Sequence, residues 1–262
     1  MITQWWVTGD THGDFSRFYK LNEAVPKDEV WGVIILGDAG LNFWLNKRDK
    51  KNKYRICNKY SKLRFYCVRG NHEARPEDIE DMEKIWDDEV NDEVYWEPQY
   101  PHIKYFIDGF EYNINGYKIL VCGGAYSVDK YWRLEKQAAG FYSGWFANEQ
   151  LSEEERNLIM SLVKGHRYDL ILAHTCPYEW MPRDLFLSCV DQSTVDNSME
   201  LWLGELLQKC SWGVFLCGHY HDDRILAPHA QMLNLDIKNL EDIMEYWLED
   251  LDTTTLGGEG IK

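Results

Sequence analysis

The chain has no Cys-x-x-Cys pair, and its seven cysteines are an odd number. Neither a disulfide framework nor a thiolate zinc site is therefore indicated, and most of the cysteines are expected to be small buried apolar residues. Long apolar runs are also missing. Val33 to Leu36 and Leu170 to Ala173 fall far short of the roughly 20 residues that a membrane-spanning helix needs, so no span is expected. At the start, Gln4-Trp5-Trp6-Val7 follows Met1 almost at once, without the basic segment, apolar stretch and small-residue cleavage site of a secretory signal. A cytoplasmic protein is expected. Positive charge is scarce, with 28 Lys and Arg against 44 Asp and Glu for a net charge of -16. That balance works against long nucleic acids, whose binding depends on cations that neutralise phosphates. It leaves a phosphorylated substrate open, because bound divalent metals supply positive charge locally.

What the chain has is apolar and aromatic mass: 45% hydrophobic residues, 12 Trp and 16 Tyr in 262 residues. This is the composition of a packed globular protein. One domain is expected over residues 1–252, followed by a flexible tail over 253–262 that opens Thr253-Thr254-Thr255-Leu256-Gly257-Gly258. Short apolar runs at Gln4 to Thr8, Val30 to Leu36, Phe65 to Val68, Leu170 to Ala173 and Val214 to Cys217 read as buried strands. Helices are expected at about Phe15 to Ala24, Trp44 to Lys62, Ile79 to Trp86, Asn148 to Lys164 and Ser198 to Cys210. Ser152 with Glu155 resembles a capping box that starts the fourth of these. Asn115-Gly116 between two alternating runs signals a tight hairpin across Phe110 to Cys122. The acidic stretch Asp87 to Glu97 reads as a solvated connection. Apolar residues at helical spacing from Leu240 to Leu251 predict a last helix that packs on its own domain. Strands alternating with helices give an α/β fold with ligands at the carboxyl ends of the strands.

The five strands each end in a residue able to bind metal. Gly9-Asp10-Thr11-His12-Gly13 sets a carboxylate two residues from an imidazole, and by itself fits a plain turn as well as a metal site. Gly37-Asp38 supplies a carboxylate suited to bridging two cations, or a turn aspartate. Gly70-Asn71-His72-Glu73 adds an amide oxygen beside a histidine, His174 follows a strand directly, and Gly218-His219-Tyr220-His221 follows another. Each alone has a structural reading as a cap, turn or packed residue. Together they are harder to dismiss, since five of the eight histidines (His12, His72, His174, His219, His221) occupy strand ends. His102, His166 and His229 are assigned to surface or packing. The set of hard oxygens and imidazoles suits two divalent transition-metal ions, manganese first, with iron, zinc, cobalt or nickel as alternatives. Two such cations about 3.5 to 4 Å apart would polarise a phosphoryl group and generate a bridging hydroxide for in-line attack.

In this order the motifs resemble the calcineurin-like metallophosphoesterase superfamily, whose pattern runs Asp-x-His, Gly-Asp, Gly-Asn-His-Asp/Glu, His and Gly-His-x-His. The resemblance extends from Asp10 to His221. It implies a four-layer α/β fold in which two mixed β-sheets pack as a sandwich flanked by helices. It implies further that Asp10, His12 and His221 hold one metal, that Asn71, His174 and His219 hold the other, and that Asp38 bridges them. His72 would sit over the phosphate, stabilising it or protonating the leaving oxygen. Arg69-Gly70-Asn71-His72-Glu73 is most similar to the phosphoprotein phosphatases and diadenosine tetraphosphate hydrolases. The second motif departs from that branch: Leu41 stands where an aspartate would orient the catalytic histidine, and Asn42 where an arginine would grip phosphate. Glu73 is then a candidate to support protonated His72.

A replacement phosphate clamp is sought among Arg69, Arg75, Arg133 and Arg183. Arg133 is placed first, in a glycine-led aromatic loop that opens at Gly123, with Arg75 and Arg183 behind it; each also reads as an ordinary surface arginine. Residues 177–197, carrying Trp180, Met181, Arg183 and Phe186, read equally as a lid over the metals or as a surface loop. Phe141, Tyr142, Trp145 and Phe146 read as core before base-stacking platform. The leading functional reading is a metal-dependent phosphomonoesterase acting on a phosphoprotein or a small phosphorylated metabolite. A phosphodiesterase acting on a nucleotide or nucleic acid is the alternative, and a non-catalytic metal-binding scaffold stands third.

Overall fold

The computed structural model describes the backbone of residues 1–255 and the side chains of residues 1–248. The chain begins with β1 (Gln4–Thr8), α1 (Tyr19–Ala24), β2 (Trp31–Ile35), α2 (Lys47–Lys59) and β3 (Leu63–Cys67). A run of strands follows: β4 (Glu83–Asp87), β5 (Asp92–Trp96), β6 (Ile103–Tyr105), β7 (Glu111–Ile114) and β8 (Tyr117–Cys122). Helices α3 (Lys130–Ala138) and α4 (Glu153–Val163) lead to β9 (Arg167–Ala173), α5 (Ser198–Leu207) and β10 (Ser211–Cys217). The chain closes with β11 (Arg224–Ala227), β12 (Ala230–Met232), β13 (Ile237–Asn239) and α6 (Leu240–Thr255).

The strands form two mixed sheets, a seven-stranded one in the order β13-β1-β2-β3-β6-β5-β4 and a six-stranded one in the order β11-β12-β10-β9-β8-β7. Alternation along each central strand explains the layering. On β2, Ile34 and the following Leu36 point between the sheets, while Val33 and Ile35 point outward to Phe18, Ile56 and Tyr60 of the first helical layer. On β9 and β10, Leu170, Leu172, Val214 and Leu216 face inward, and Ile171 and Phe215 face Ile159, Leu203 and Leu206 of the second. Burying both faces stabilises the sandwich by roughly 25 cal/mol per Å² of apolar surface removed from water. The expected four-layer α/β architecture is the one observed.

Several expectations need correction. Ile79 to Trp86 is not a helix, and Asp87 to Glu97 is not a loose connection: β4 and β5 form an antiparallel edge hairpin with Ile85 opposite Val94. The physical reason is burial, since Val90 and Val94 are fully buried and Ile85 packs against them. Asp87 is buried as well, accepting from Tyr66 Oη at 2.7 Å and paired with Lys104 Nζ at 2.5 Å. The glycine-led loop after β8 turns into α3 at Lys130. Phe141 and Tyr142 are exposed rather than core. The final helix continues through Thr255, so the first three residues of the expected tail extend it; the rest of that tail lies outside the described residues.

Other readings match. Ser152 and Glu155 make both bonds of the capping box at the start of α4, and Asn115-Gly116 turns the β7–β8 hairpin with both residues at positive φ. Leu240, Met244 and Trp247 of α6 pack into the core between the sheets. Five of the seven cysteines are buried, and all are free. No helix among the described residues is long and apolar enough to cross a membrane.

Candidate metal centre

The parallel strands β1, β2 and β3 of one sheet and β9 and β10 of the other release their chains at the same end of the sandwich. The loops that follow carry Asp10, Asp38, Asn71, His174 and His219. At four positions in these loops the backbone is forced out of its usual range. His12, Asp38, His219 and His221 have φ of 45°, 47°, 72° and 56°, a left-handed conformation that costs non-glycine residues energy and persists where surrounding structure holds it. Neighbouring glycines leave room for the functional side chains. A Cβ at Gly70 would lie 1.9 Å from Asp38 Oδ1, and one at Gly37 would lie 2.0 Å from His174 Nδ1.

Two overlapping groups of donors converge. Asp10 Oδ2 lies 3.3 Å from His221 Nε2 and 3.7 Å from His12 Nε2, and the two imidazole nitrogens are 3.0 Å apart. Asp38 Oδ2 is 3.7 Å from His174 Nε2, and Asp10, Asp38 and His174 have mutually close donor atoms. His219 stacks edge-on to His174 with ring centroids 4.9 Å apart. Second contacts hold the carboxylates: His219 N–H donates to Asp10 Oδ1 at 2.9 Å, and His72 N–H donates to Asp38 Oδ1 at 2.8 Å.

The residues fit a divalent metal on chemical grounds. His174 Nδ1 is 2.7 Å from the carbonyl oxygen of Leu36, which can only accept, so Nδ1 carries a proton and Nε2 is the ring nitrogen turned to the other donors. Asn71 Nδ2 donates to Ser127 Oγ, which fixes the flip and leaves Asn71 Oδ1 2.8 Å from that Nε2. A second proton on the His174 ring or a bound cation satisfies this contact. Asp10 Oδ2 is buried and has no hydrogen-bond partner among the described residues, a costly state for a carboxylate unless a cation faces it.

The charges are arranged accordingly. Burial pushes the Asp10 carboxyl up, but His174 and His221 outweigh it and hold the group below the usual carboxylate range. Burial acts the same way on Asp38, and His174, His72 and His12 together bring it far below. Burial and the neighbouring His174 depress His219 to about 3, so it is a neutral ring with a free lone pair. His72 is also lowered, first by burial, and its Nδ1 is buried with no partner among the described residues.

The candidate arginines fare differently. Arg75 is spent on structure: it donates to the carbonyls of Asn148 and Gln150 and pairs with Glu155 at 2.5 Å, which leaves no fork for phosphate. Arg69 is buried on Asp108, Gly123 and Glu149. Arg183 lies over Tyr178 and donates to its carbonyl. Arg133 borders the centre, in a cleft of about 310 Å³ shared with His12, His72, Phe43 and Trp44. Its Nε and Nη1 are engaged by Asp129 and the carbonyls of Ser143 and Gly144.

Glu73 does not reach His72; its carboxylate accepts the N–H groups of Ala39 and Leu41 and so shapes the loop that presents Asp38. Asn42 is buried and accepts from Lys53, itself paired with Glu97. Of the remaining histidines, His166 pairs with Glu111 and His229 packs against Trp247. Sequence reasoning missed Ser127 and Glu149, the relay behind Asn71, because nothing in their local pattern points to a metal. Residues 177–197 form one side of a second cleft of about 340 Å³, which opens on Asp38, Asn71, His72, His219 and His221.

Comparison with solved structures finds the protein TT1561 of Thermus thermophilus, at 14% identity and a TM-score of 0.45 over 93% of this chain and 96% of that one. It also finds a phosphopantetheinyl hydrolase from Mycobacterium tuberculosis, at 11% identity and a TM-score of 0.40 over 88% of each chain. No curated protein sequence matches the chain. A model of the calcineurin-like phosphoesterases matches residues 4–223, a span that runs from β1 past His221 and takes in every donor described above. With most of its length matched, the chain belongs to the calcineurin-like phosphoesterase family, the metal-dependent hydrolases of phosphoesters.

Proposed function

We propose that the protein hydrolyses small phosphodiesters. The observation that carries this reading is that His72 lines two separate clefts, one walled by residues 177–197 and one by Phe43, Trp44 and Arg133. A diester has two substituents to place on either side of one phosphorus; a monoester has one. The enclosing wall disfavours a phosphoprotein, whose chain needs an open surface. The phosphomonoesterase that the motifs first suggest is therefore the second reading.

Asp10, His12 and His221 would hold one metal ion and Asn71, His174 and His219 the other, with Asp38 shared; manganese leads among the metals that suit these donors. When bound, the ions supply Lewis acidity toward the phosphoryl group and its attacking water. The chain's own residues do the rest. The Leu36 carbonyl keeps His174 in one tautomer, and the Ser127–Glu149 pair orients Asn71. His72, neutral through burial, stands at the junction of the clefts; a phosphate anion beside it favours its protonated form and lets it donate toward the leaving oxygen. Arg133 lines the same cleft as His72, and its bonds to Asp129, Ser143 and Gly144 use only Nε and Nη1, which leaves Nη2 for a phosphate oxygen.

The test is hydrolysis of bis-para-nitrophenyl phosphate and para-nitrophenyl phosphate by metal-stripped protein restored with Mn, Fe, Zn, Co or Ni, with Asp38→Asn as control. The expected result is a kcat/KM for the diester about tenfold or more above the monoester, lost in the variant. The opposite ranking would restore the monoesterase, and no metal-dependent turnover of either would sink the hydrolytic reading.

A further inference from the structure

The cleft walled by residues 177–197 has apolar sides, among them Met181, Phe186, Val190 and Val195, and no lysine or arginine lines it among the described residues. Into this lining falls Glu200, on the first turn of α5 and only 3% exposed. Its Oε1 accepts from Thr175 Oγ1 at 2.8 Å. Its Oε2 is buried without a hydrogen-bond partner among the described residues. Burial, with Asp196 adding to it, pushes this carboxyl up to about 7 against the bond from Thr175 and the nearby His174, so a cation beside it would favour the ionised form. Of the two other acids that line the cleft, Asp38 belongs to the candidate metal centre and Asp129 has a partner in Arg133 at 2.7 Å.

A carboxyl that served only to position Thr175 would need one oxygen, and a glutamine would do as well. The second oxygen has no structural task. Buried polar groups left unmatched are uncommon and costly, and in a cleft they mark where a ligand group completes the pairing. What fits the unmatched oxygen of this carboxyl, in an apolar part of the cleft without lysine or arginine, is a positively charged donor carried on an apolar stem. Aromatic rings add to this: Phe186 and Tyr220 lie stacked with centroids 6.4 Å apart, and both border the cleft with Tyr126. Their faces attract a cation.

We propose that this cleft recognises an ester substituent consisting of a primary ammonium on an apolar stem, with Glu200 as the specificity-determining acceptor. The assignment rests on the phosphodiesterase reading for its link to catalysis, since the same cleft reaches His72 and Asp38. It concerns binding alone, and no bond is made or broken at Glu200.

Calorimetric titration of the metal-loaded protein with n-hexylammonium and with 1-hexanol tests it, on the native chain and on Glu200→Gln. Glutamine keeps the acceptor for Thr175 and removes the charge. The native protein is expected to bind the ammonium about tenfold or more tightly than the alcohol, and Glu200→Gln to lose that preference. Equal binding of the two probes by the native protein, binding of neither, or a preference that survives in Glu200→Gln would overturn the assignment; the first two need no variant to fold. Turnover of bis-para-nitrophenyl phosphate, measured alongside, separates the two readings. Ammonium selectivity without turnover upholds the cleft and removes the hydrolase, whereas turnover without selectivity does the reverse.

Discussion

The two halves of the candidate metal centre are built differently. In one, His12 and His221 have side chains 43% and 56% exposed, and they meet over the buried Asp10. In the other, His174 is fully buried, its ring is locked by the Leu36 carbonyl, and Asn71 is held by Ser127 and Glu149. The buried half is preorganised by hydrogen bonds that would exist whether or not a metal is present. Positive φ occurs in both halves, at His12 and His221 in the exposed one and at His219 in the buried one, so the difference lies in the buried hydrogen bonds. Outer contacts fix ligand orientation and raise metal affinity, so the buried half should be the tighter site.

The contrast is most easily broken by truncating each half in turn. In metal-free protein, His174→Ala opens a cavity in packed surroundings and is expected to cost about 2–5 kcal/mol of unfolding free energy. His221→Ala, on a half-exposed loop, should stay within about 0.5 kcal/mol. Equal costs in a denaturant titration would mean that the two halves do not differ in preorganisation.

A smaller effect is expected at Ser127. Ser127→Ala removes the acceptor that turns Asn71 toward His174, and should weaken one metal site by about 10–100-fold while leaving the other unchanged. Competition with a chelator, followed by metal counting, reads this directly. Loss from both sites together would show that the halves act as one unit.

The two halves also differ in the sign of their pH dependence. His219, depressed by burial to about 3, resists protonation in the folded state while the unfolded chain takes up a proton below about 6.5. Its contribution is thus fully present above that range and is lost as pH falls toward 3, at up to ~1.4 kcal/mol per pH unit. His221 is raised, first by its bond to Asp10. Its contribution is present below its unfolded value and is lost as pH rises through the folded one. In metal-free protein, His219→Ala should therefore flatten the acid limb of the stability curve, and His221→Ala should remove stability only on that limb. A shared direction for both variants would contradict the arrangement.

How much is legible in the sequence varies by residue. The strand ends are clear because a buried parallel strand is a short apolar run, and Gly-Asp or Gly-Asn-His breaks it sharply. The β4–β5 hairpin is not, because Glu83-Lys84-Ile85-Trp86-Asp87 is short and charged; only pairing and the burial of Val90 and Val94 make it a strand. Adjacency in the chain assigns Glu73 to His72, but adjacent side chains diverge, and the Glu73 carboxylate turns to Ala39 and Leu41 instead. Arg75 reads as free because a sequence does not show the carbonyls of Asn148 and Gln150 that claim its fork. Glu200 carries no local signal.

The order of residues sets the chemical inventory: which carboxylates, imidazoles and amides stand at strand ends, and in what succession. Folding in three dimensions selects which of them meet. His12 and His221 are 209 residues apart in the chain and 3.0 Å apart in space, a closeness that follows from two sheets packing face to face with their strand ends aligned. Packing also selects which donors are dry and which wet, and so which carboxyls and imidazoles keep their charge, because desolvation depends on what surrounds a group in space and not on its neighbours in the chain.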